Sequence, residues 1–201
     1  MDAFDEDVMI MDVDLIVKIV AVVVWLGAEA YLILKDRARG KGTIGIDRRT
    51  RNYNTAATVL SLTLGLVLNW IKVLPFGTSG ASTIICIGIG VMLLGLILRH
   101  WSIISLGKFF RTTIELEKGQ KVIDNGPYRY IRHPSYAGII VFFIGYGIVS
   151  KDWLCLGVAV CLPTASLIYR IQIEEKALAK GMGPDYVAYQ KRTKKLLPGI
   201  W

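Results

Sequence analysis

Gly126-Pro127-Tyr128-Arg129-Tyr130-Ile131-Arg132-His133-Pro134-Ser135-Tyr136-Ala137-Gly138 sets three tyrosines, two arginines, two prolines and one of the chain's two histidines between strongly apolar segments. Gly126-Pro127 is a turn signal, and Pro134 suits the first turn of a helix, where its missing N–H costs nothing. The stretch therefore predicts a helix beginning near Pro134. His133 then sits at its start, beside free backbone N–H groups that favour an anionic ligand. Two readings of this turn stay open on composition. It is a rigid, cationic binding site at the mouth of a membrane helix, or a juxtamembrane anchor with Tyr and Arg at the lipid interface.

What flanks the stretch decides the class. Hydrophobic residues make up 53% of the 201, and the mean hydropathy is +0.47, which reads as an integral membrane protein. The net charge of +8 is not a nucleic-acid patch, because the 24 Lys and Arg are blocked. Seven lie in 35–54, seven in 99–135 and seven in 170–201, so 21 of 24 can share one side of a bilayer. That is the positive-inside pattern. The amino terminus is acidic (Asp2, Asp5, Glu6, Asp7, Asp12, Asp14) and lacks the charged n-region of a removable signal peptide. It is expected outside, with the first span as an uncleaved anchor. Cys86, Cys155 and Cys161, all in apolar runs, give neither a disulfide framework nor a metal cluster.

Five spans are expected, at 15–34, 55–74, 81–98, 135–149 and 153–169. Glu29 lies inside the first and is expected to pair with Lys35 or Arg37 at the interface. Lys72 is expected to snorkel outward, beyond which Pro75 to Gly80 makes an external turn. Gly88-x-Gly90 and Gly95 imitate a nucleotide loop, but in an unbroken apolar run they are better explained as close helix-packing residues. The connection 99–135 is too long to be structureless. Within it, 101–110 is amphipathic enough to lie in the interface and 112–123 suggests a short extended or turn segment. Arg99 reads as an anchor, and His100 and Trp101 as interfacial. Ser150-Lys151-Asp152 closes a helical hairpin, Pro163 is expected to kink its second helix, and Gly181 and Gly183 to end it. A short amphipathic helix over 185–193 and an interfacial tail follow. The expected fold is all-α and integral to the membrane, a single domain over 1–201, with three spans in 1–98 and a cytoplasmic cofactor-binding part in 99–201.

A second constellation, Arg170-Ile171-Gln172-Ile173-Glu174-Glu175, lies where the last span leaves the membrane on the same side as the opening stretch. Arg170 and Glu174 share a helix face. Taken alone they read as a solvated ion pair.

Together the two constellations carry a resemblance. Gly126-Pro127-Tyr128 followed by Arg132-His133-Pro134-Ser135-Tyr136-x-Gly138, then Glu174-Glu175, Gly183-x-x-Tyr186-x-x-Tyr189 and an ending from Arg192-Thr193 to Leu197-Pro198, resembles the isoprenylcysteine carboxyl methyltransferases and their prokaryotic relatives. The resemblance covers roughly 95–201. It implies a helical membrane methyltransferase using S-adenosylmethionine. It further implies that Gln120, Lys121, Val122 and Ile123 make backbone contacts to the cofactor, joined by Tyr128, the run Arg132, His133, Pro134, Ser135 and Tyr136, and the pair Glu174 and Glu175. Arg170 matches an arginine that orients the acceptor carboxylate, so Arg170 and Glu174 are the expected catalytic residues.

These assignments are chemically coherent. A glutamate suits the ammonium of the cofactor's methionine end, and His133 with free N–H groups suits its carboxylate. A carboxylate acceptor, with an ordinary pKa of about 3.5, is ionised at neutral pH and requires no general base. The expected partners are a lipophilic or prenylated acceptor and the lipid bilayer, with no nucleic acid. Two histidines and dispersed cysteines offer no metal site. Beside this stand methylation of a phospholipid amine or a small thiol, an NADPH-dependent sterol-type reductase, and a non-catalytic membrane subunit.

Overall fold

Apolar stretches with no water to satisfy their backbone must satisfy it internally, and helices do so within one segment. The computed structural model describes residues 3–40, 44–71, 73–76, 81–116, 120–199 and 201. Its elements are α1 (Ala3–Ala38), β1 (Ile44–Asp47), α2 (Arg48–Ile71), α3 (Ala81–Leu106), β2 (Ile114–Leu116), α4 (Pro134–Val149), α5 (Trp153–Met182) and α6 (Pro184–Arg192). Val13–Ala38, Ala81–Phe109 and Trp153–Met182 are long and apolar enough to cross a membrane, and α4 is a shorter apolar helix. The expectations for Lys72, for the Gly77–Gly80 part of the external turn and for positions 117–119 of the segment 112–123 fall outside the described residues.

The strongest packing is between α3 and α4, and glycines make it possible. A Cβ on Gly145 would lie 2.5 Å from the Gly88 carbonyl oxygen, and one on Gly138 2.7 Å from that of Gly95. Gly88 and Gly95 thus let two backbones touch, as close-packed membrane helices require. Gly90 faces open space and has no such part. Around this seam Trp25 stacks on Phe142 with centroids 4.5 Å apart, and Phe143, Tyr146 and Leu167 are fully enclosed.

Polar groups fasten the hairpin to α2. Asp152 caps α5 by accepting from the Cys155 N–H at 2.9 Å, and its other oxygen accepts from the Leu74 N–H at 2.7 Å. This ties the end of α2 to the α4–α5 turn. Pro163 has no N–H for the Ala159 carbonyl, and the Ser61 hydroxyl of α2 donates to that oxygen instead, at 3.2 Å. Helix α5 continues through Pro163 and ends at Gly183, whose φ is +64°. Gly181 lies inside it, where a side chain would collide with Leu116.

Several expectations need correcting. Glu29 pairs not with Lys35 or Arg37 but with Arg99 of α3. Lys35 is six positions on, about 120° around the helix from Glu29, while Arg99 faces it directly. Arg99 is accordingly 7% exposed and not an interfacial anchor. The segment 101–110 is no separate surface helix, since α3 runs on to Leu106 before the tight turn Gly107–Phe109. The connection 35–54 contains β1, which pairs antiparallel with β2, the only ladder of named strands among the described residues. The carboxyl-terminal tail pairs with the opening stretch. Arg132 N–H donates to Lys194 O at 2.8 Å and His133 N–H to Lys195 O at 3.0 Å.

Candidate active site

The opening stretch folds as its residues dictate. Gly126 adopts φ +54°, a conformation that L side chains rarely take, and a side chain there would press on the Ser105 hydroxyl. Gly126–Arg129 form one tight turn that buries Tyr128. His133 stands at the N-cap position of α4 without a side-chain capping bond, and Pro134 occupies the first turn. This aims His133 and Tyr136 the same way, with rings parallel and centroids 5.4 Å apart.

Helix α5 supplies the other half. Arg170 and Glu174 share a face as expected, but they do not form the solvated ion pair the spacing suggests. The Tyr136 hydroxyl stands between them. It accepts from Arg170 Nε at 2.7 Å and donates to Glu174 Oε2 at 2.6 Å. Arg170 is 4% exposed, and its Nη2 also donates to the Thr112 carbonyl at 2.7 Å, with Thr50 Oγ1 at 3.4 Å from Nη1. Among the described residues the second Glu174 oxygen, Oε1, has no hydrogen-bond partner.

Glu175 is differently engaged. Its Oε1 accepts from Arg132 Nε at 2.6 Å and lies 3.3 Å from His133 Nε2, while Gln190 approaches Oε2 at 3.4 Å. Arg132 in turn donates to the carbonyls of Gln190 and Thr193. Glu175 therefore binds the opening stretch, α5 and the end of α6 together.

All of this surrounds one cavity, with an empty volume of about 1190 Å³ including its open mouth. Of the residues expected from sequence, Gln120, Lys121, Val122, Ile123, Tyr128, Arg132, His133, Ser135, Tyr136, Arg170 and Glu174 line it. Pro134 and Glu175 stand behind the wall. Residues 120–124 carry no regular secondary structure, so their backbone groups are not spent in a helix or ladder. Sequence reasoning missed Glu29, Arg99, Tyr186 and Tyr189, which also line the cavity. The two tyrosines stood in the quoted Gly183-x-x-Tyr186-x-x-Tyr189 pattern. The Glu29–Arg99 pair joins two helices and leaves no local spacing to find.

Burial holds the Tyr128 phenol well above its ordinary pKa, with the Glu174 charge acting the same way. Burial likewise raises Tyr186, helped by Glu175, and Tyr189. All three are neutral at physiological pH, and the Tyr189 hydroxyl donates to the Tyr128 carbonyl at 2.6 Å. The cavity thus offers a charged pair bridged by a phenol at one point, the Glu29–Arg99 pair at another, and aromatic and aliphatic side chains interspersed with further charged ones. Such a site suits a ligand with a zwitterionic end and a flat, largely apolar remainder.

Known proteins are similar to this chain over the same region. Residues 87–180 match the model of the isoprenylcysteine carboxyl methyltransferase (ICMT) family. The chain is 32% identical over 116 residues to a protein-S-isoprenylcysteine O-methyltransferase of Tribolium castaneum, covering 57% of this chain and 41% of that one. It is 30% identical over 120 residues to protein-S-isoprenylcysteine O-methyltransferase B of Arabidopsis thaliana, covering 56% of this chain and 58% of that one. The chain therefore spans about half the length of the curated relatives it matches. A solved structure of the eukaryotic intramembrane Ras methyltransferase ICMT superposes with a TM-score of 0.57 at 27% identity, over 77% of this chain and 55% of that one. The matched segment contains α4, most of α5 and both halves of the Tyr136–Arg170–Glu174 link, and over it the chain is similar to the isoprenylcysteine carboxyl methyltransferase family.

Proposed function

We propose that the protein is a membrane-embedded, S-adenosylmethionine-dependent methyltransferase that places a methyl group on the carboxylate of a lipophilic acceptor, a prenylated cysteine being the best fit. The observation that carries this reading is the Tyr136 hydroxyl joining Arg170 to Glu174 on the wall of the cavity.

The residues fit the cofactor on the chemistry of the donor set. Glu174 Oε1 is available to an ammonium, the unladdered backbone of residues 121–123 to polar atoms, and Val122, Ile123, Tyr128 and Tyr186 to an adenine ring. Bound there, S-adenosylmethionine supplies a methyl group on sulfonium, electrophilic enough for an ionised carboxylate to need no base. The protein's own task is then alignment. Arg170, with five N–H groups and three acceptors met within the chain, has donors left to hold an acceptor carboxylate. Tyr136 keeps Arg170 and Glu174 at a fixed separation. Glu175 holds Arg132 and His133 in place rather than touching a ligand.

The whole chain is proposed as one domain with five spans. The three basic blocks favour a cytoplasmic cavity and an outside amino terminus. The test is transfer of isotope-labelled methyl from S-adenosylmethionine to prenylcysteine, phospholipid-amine and small-thiol acceptors by detergent-purified protein. A carboxylate product is a methyl ester and releases its label as methanol in base, whereas methylamines and thioethers keep theirs. Base-stable label, or none, would overturn the reading.

A further inference from the structure

Part of the cavity wall belongs to neither motif. Glu29 and Ile33 of α1, Asn54 and Thr55 of α2, and Phe109 and Phe110 after α3 contribute it. The four residues on α1 and α2 lie outside the matched segment 87–180. This is the side on which an apolar acceptor tail has helices facing the bilayer to lie against.

One buried cation links that wall to the chemistry. Arg99 is 7% exposed, and a guanidinium removed from water has to be paired. Its Nη2 pairs with the Glu29 carboxylate of α1, and its Nη1 donates to Ser135 Oγ of α4 at 3.2 Å. The guanidinium also sits over the Trp25 ring of α1, 5.4 Å from its centroid. Three helices therefore converge on one side chain. Ser135 immediately precedes Tyr136, whose hydroxyl joins Arg170 and Glu174. At Gly138, one turn further along α4, the backbone leaves no slack, since a Cβ there would lie 2.8 Å from the Arg99 nitrogen. A displacement of α1 is thus passed through Arg99 to the first turn of α4. A buried ion pair is a weak source of stability compared with apolar packing, so stability is a poor reason to keep one here. Glu29 is moreover 24% exposed and faces the cavity itself.

We propose that Glu29 and Arg99 are positioning residues for the acceptor: by locking α1 to the first turn of α4 through Ser135, they hold the α1–α2 wall in register with Tyr136 and Arg170. The proposal rests on the methyltransferase reading above and assigns the acceptor side of that same cavity.

The experiment uses the full chain in detergent, labelled S-adenosylmethionine and a prenylcysteine acceptor, with S-adenosylhomocysteine affinity measured separately by calorimetry. Glu29→Gln keeps the size of the side chain and removes the charge. It is expected to lower kcat/KM for the acceptor by about tenfold or more while S-adenosylhomocysteine affinity stays within about twofold. The exchanged double variant Glu29→Arg with Arg99→Glu restores the pair, and is expected to recover activity that Arg99→Glu alone loses. The proposal is overturned by unchanged acceptor kinetics in Glu29→Gln. Equal losses of acceptor kinetics and cofactor affinity, failure of the exchange to rescue, or a Glu29→Gln protein that does not purify folded also overturn it, because each marks a scaffold role. If the wild-type protein itself neither binds S-adenosylhomocysteine nor transfers methyl, the methyltransferase reading fails first, and the two failures are distinguished in that way.

Discussion

Tyr136 makes two short hydrogen bonds through one hydroxyl, and the consequence of losing that oxygen is calculable. Tyr136→Phe leaves Arg170 Nε and Glu174 Oε2 without their shared partner, which costs about 1–3 kcal/mol where the groups are buried. Acceptor turnover, kcat/KM, is expected to fall about tenfold to a hundredfold in steady-state assays, with little change in helix content by circular dichroism. The neighbouring glutamates separate into different roles. Glu175 holds Arg132 and His133, so Glu175→Ala strands two buried cationic or polar groups and is expected to cost about 3–5 kcal/mol, seen as a lowered Tm in detergent. Glu174→Gln is expected to leave Tm nearly unchanged and to act on ligand binding. The sequence put Arg170 and Glu174 on one helical face, but the oxygen between them comes from another helix. Spacing along α5 could not reveal it.

Helices α3 and α4 meet through glycines on both sides of the seam. Gly95→Ala would drive a methyl group into the Phe142 backbone, which cannot yield as a flexible side chain does. It is expected to destabilise by about 1–3 kcal/mol in thermal unfolding, while Gly90→Ala, facing open space, is neutral or slightly stabilising. At the start of α2, Asp47 accepts from the Arg49 and Thr50 N–H groups at 2.8 and 3.1 Å. Burial alone would raise its pKa, but those N–H groups, the Thr50 hydroxyl and the Arg170 charge outweigh it and hold the carboxyl below its usual range. A depressed pKa means the cap's contribution is present at neutral pH and is lost as acid protonates the carboxylate. Asp47→Ala is thus expected to cost about 1 kcal/mol at neutral pH, and the difference from wild type should shrink on acidification through the carboxylate range. The beginnings and ends of α4 and α5 were legible, because Pro134 and Gly183 leave the backbone few options. The β1–β2 ladder was not, since its strands are very short and lie far apart along the chain.

For the whole molecule, charge distribution is the readable signal and acceptor choice the unreadable one. The basic blocks fall in the segments that hold β1, the Gly126–Arg129 turn, α6 and the tail, which is the pattern the proposed orientation requires. A cysteine introduced at Lys194 is expected to react with an impermeant thiol reagent only from the cytoplasmic side of oriented vesicles, and one at Asp5 only from the other side. The amino-terminal half hides its role because an apolar residue facing lipid and one facing an acceptor tail are the same in sequence. Ile16 and Ile33 illustrate this, the first 59% exposed on the outside of the bundle and the second lining the cavity. The proposed activity depends on the two motifs forming a single pocket for S-adenosylmethionine. Calorimetric titration of S-adenosylhomocysteine into the purified protein tests that most directly. The expected result is saturable one-site binding to wild type, about tenfold or more weaker in Glu174→Gln from loss of a charged hydrogen bond, with no binding of NADPH. Absence of S-adenosylhomocysteine binding, or equal affinity in wild type and Glu174→Gln, would contradict it.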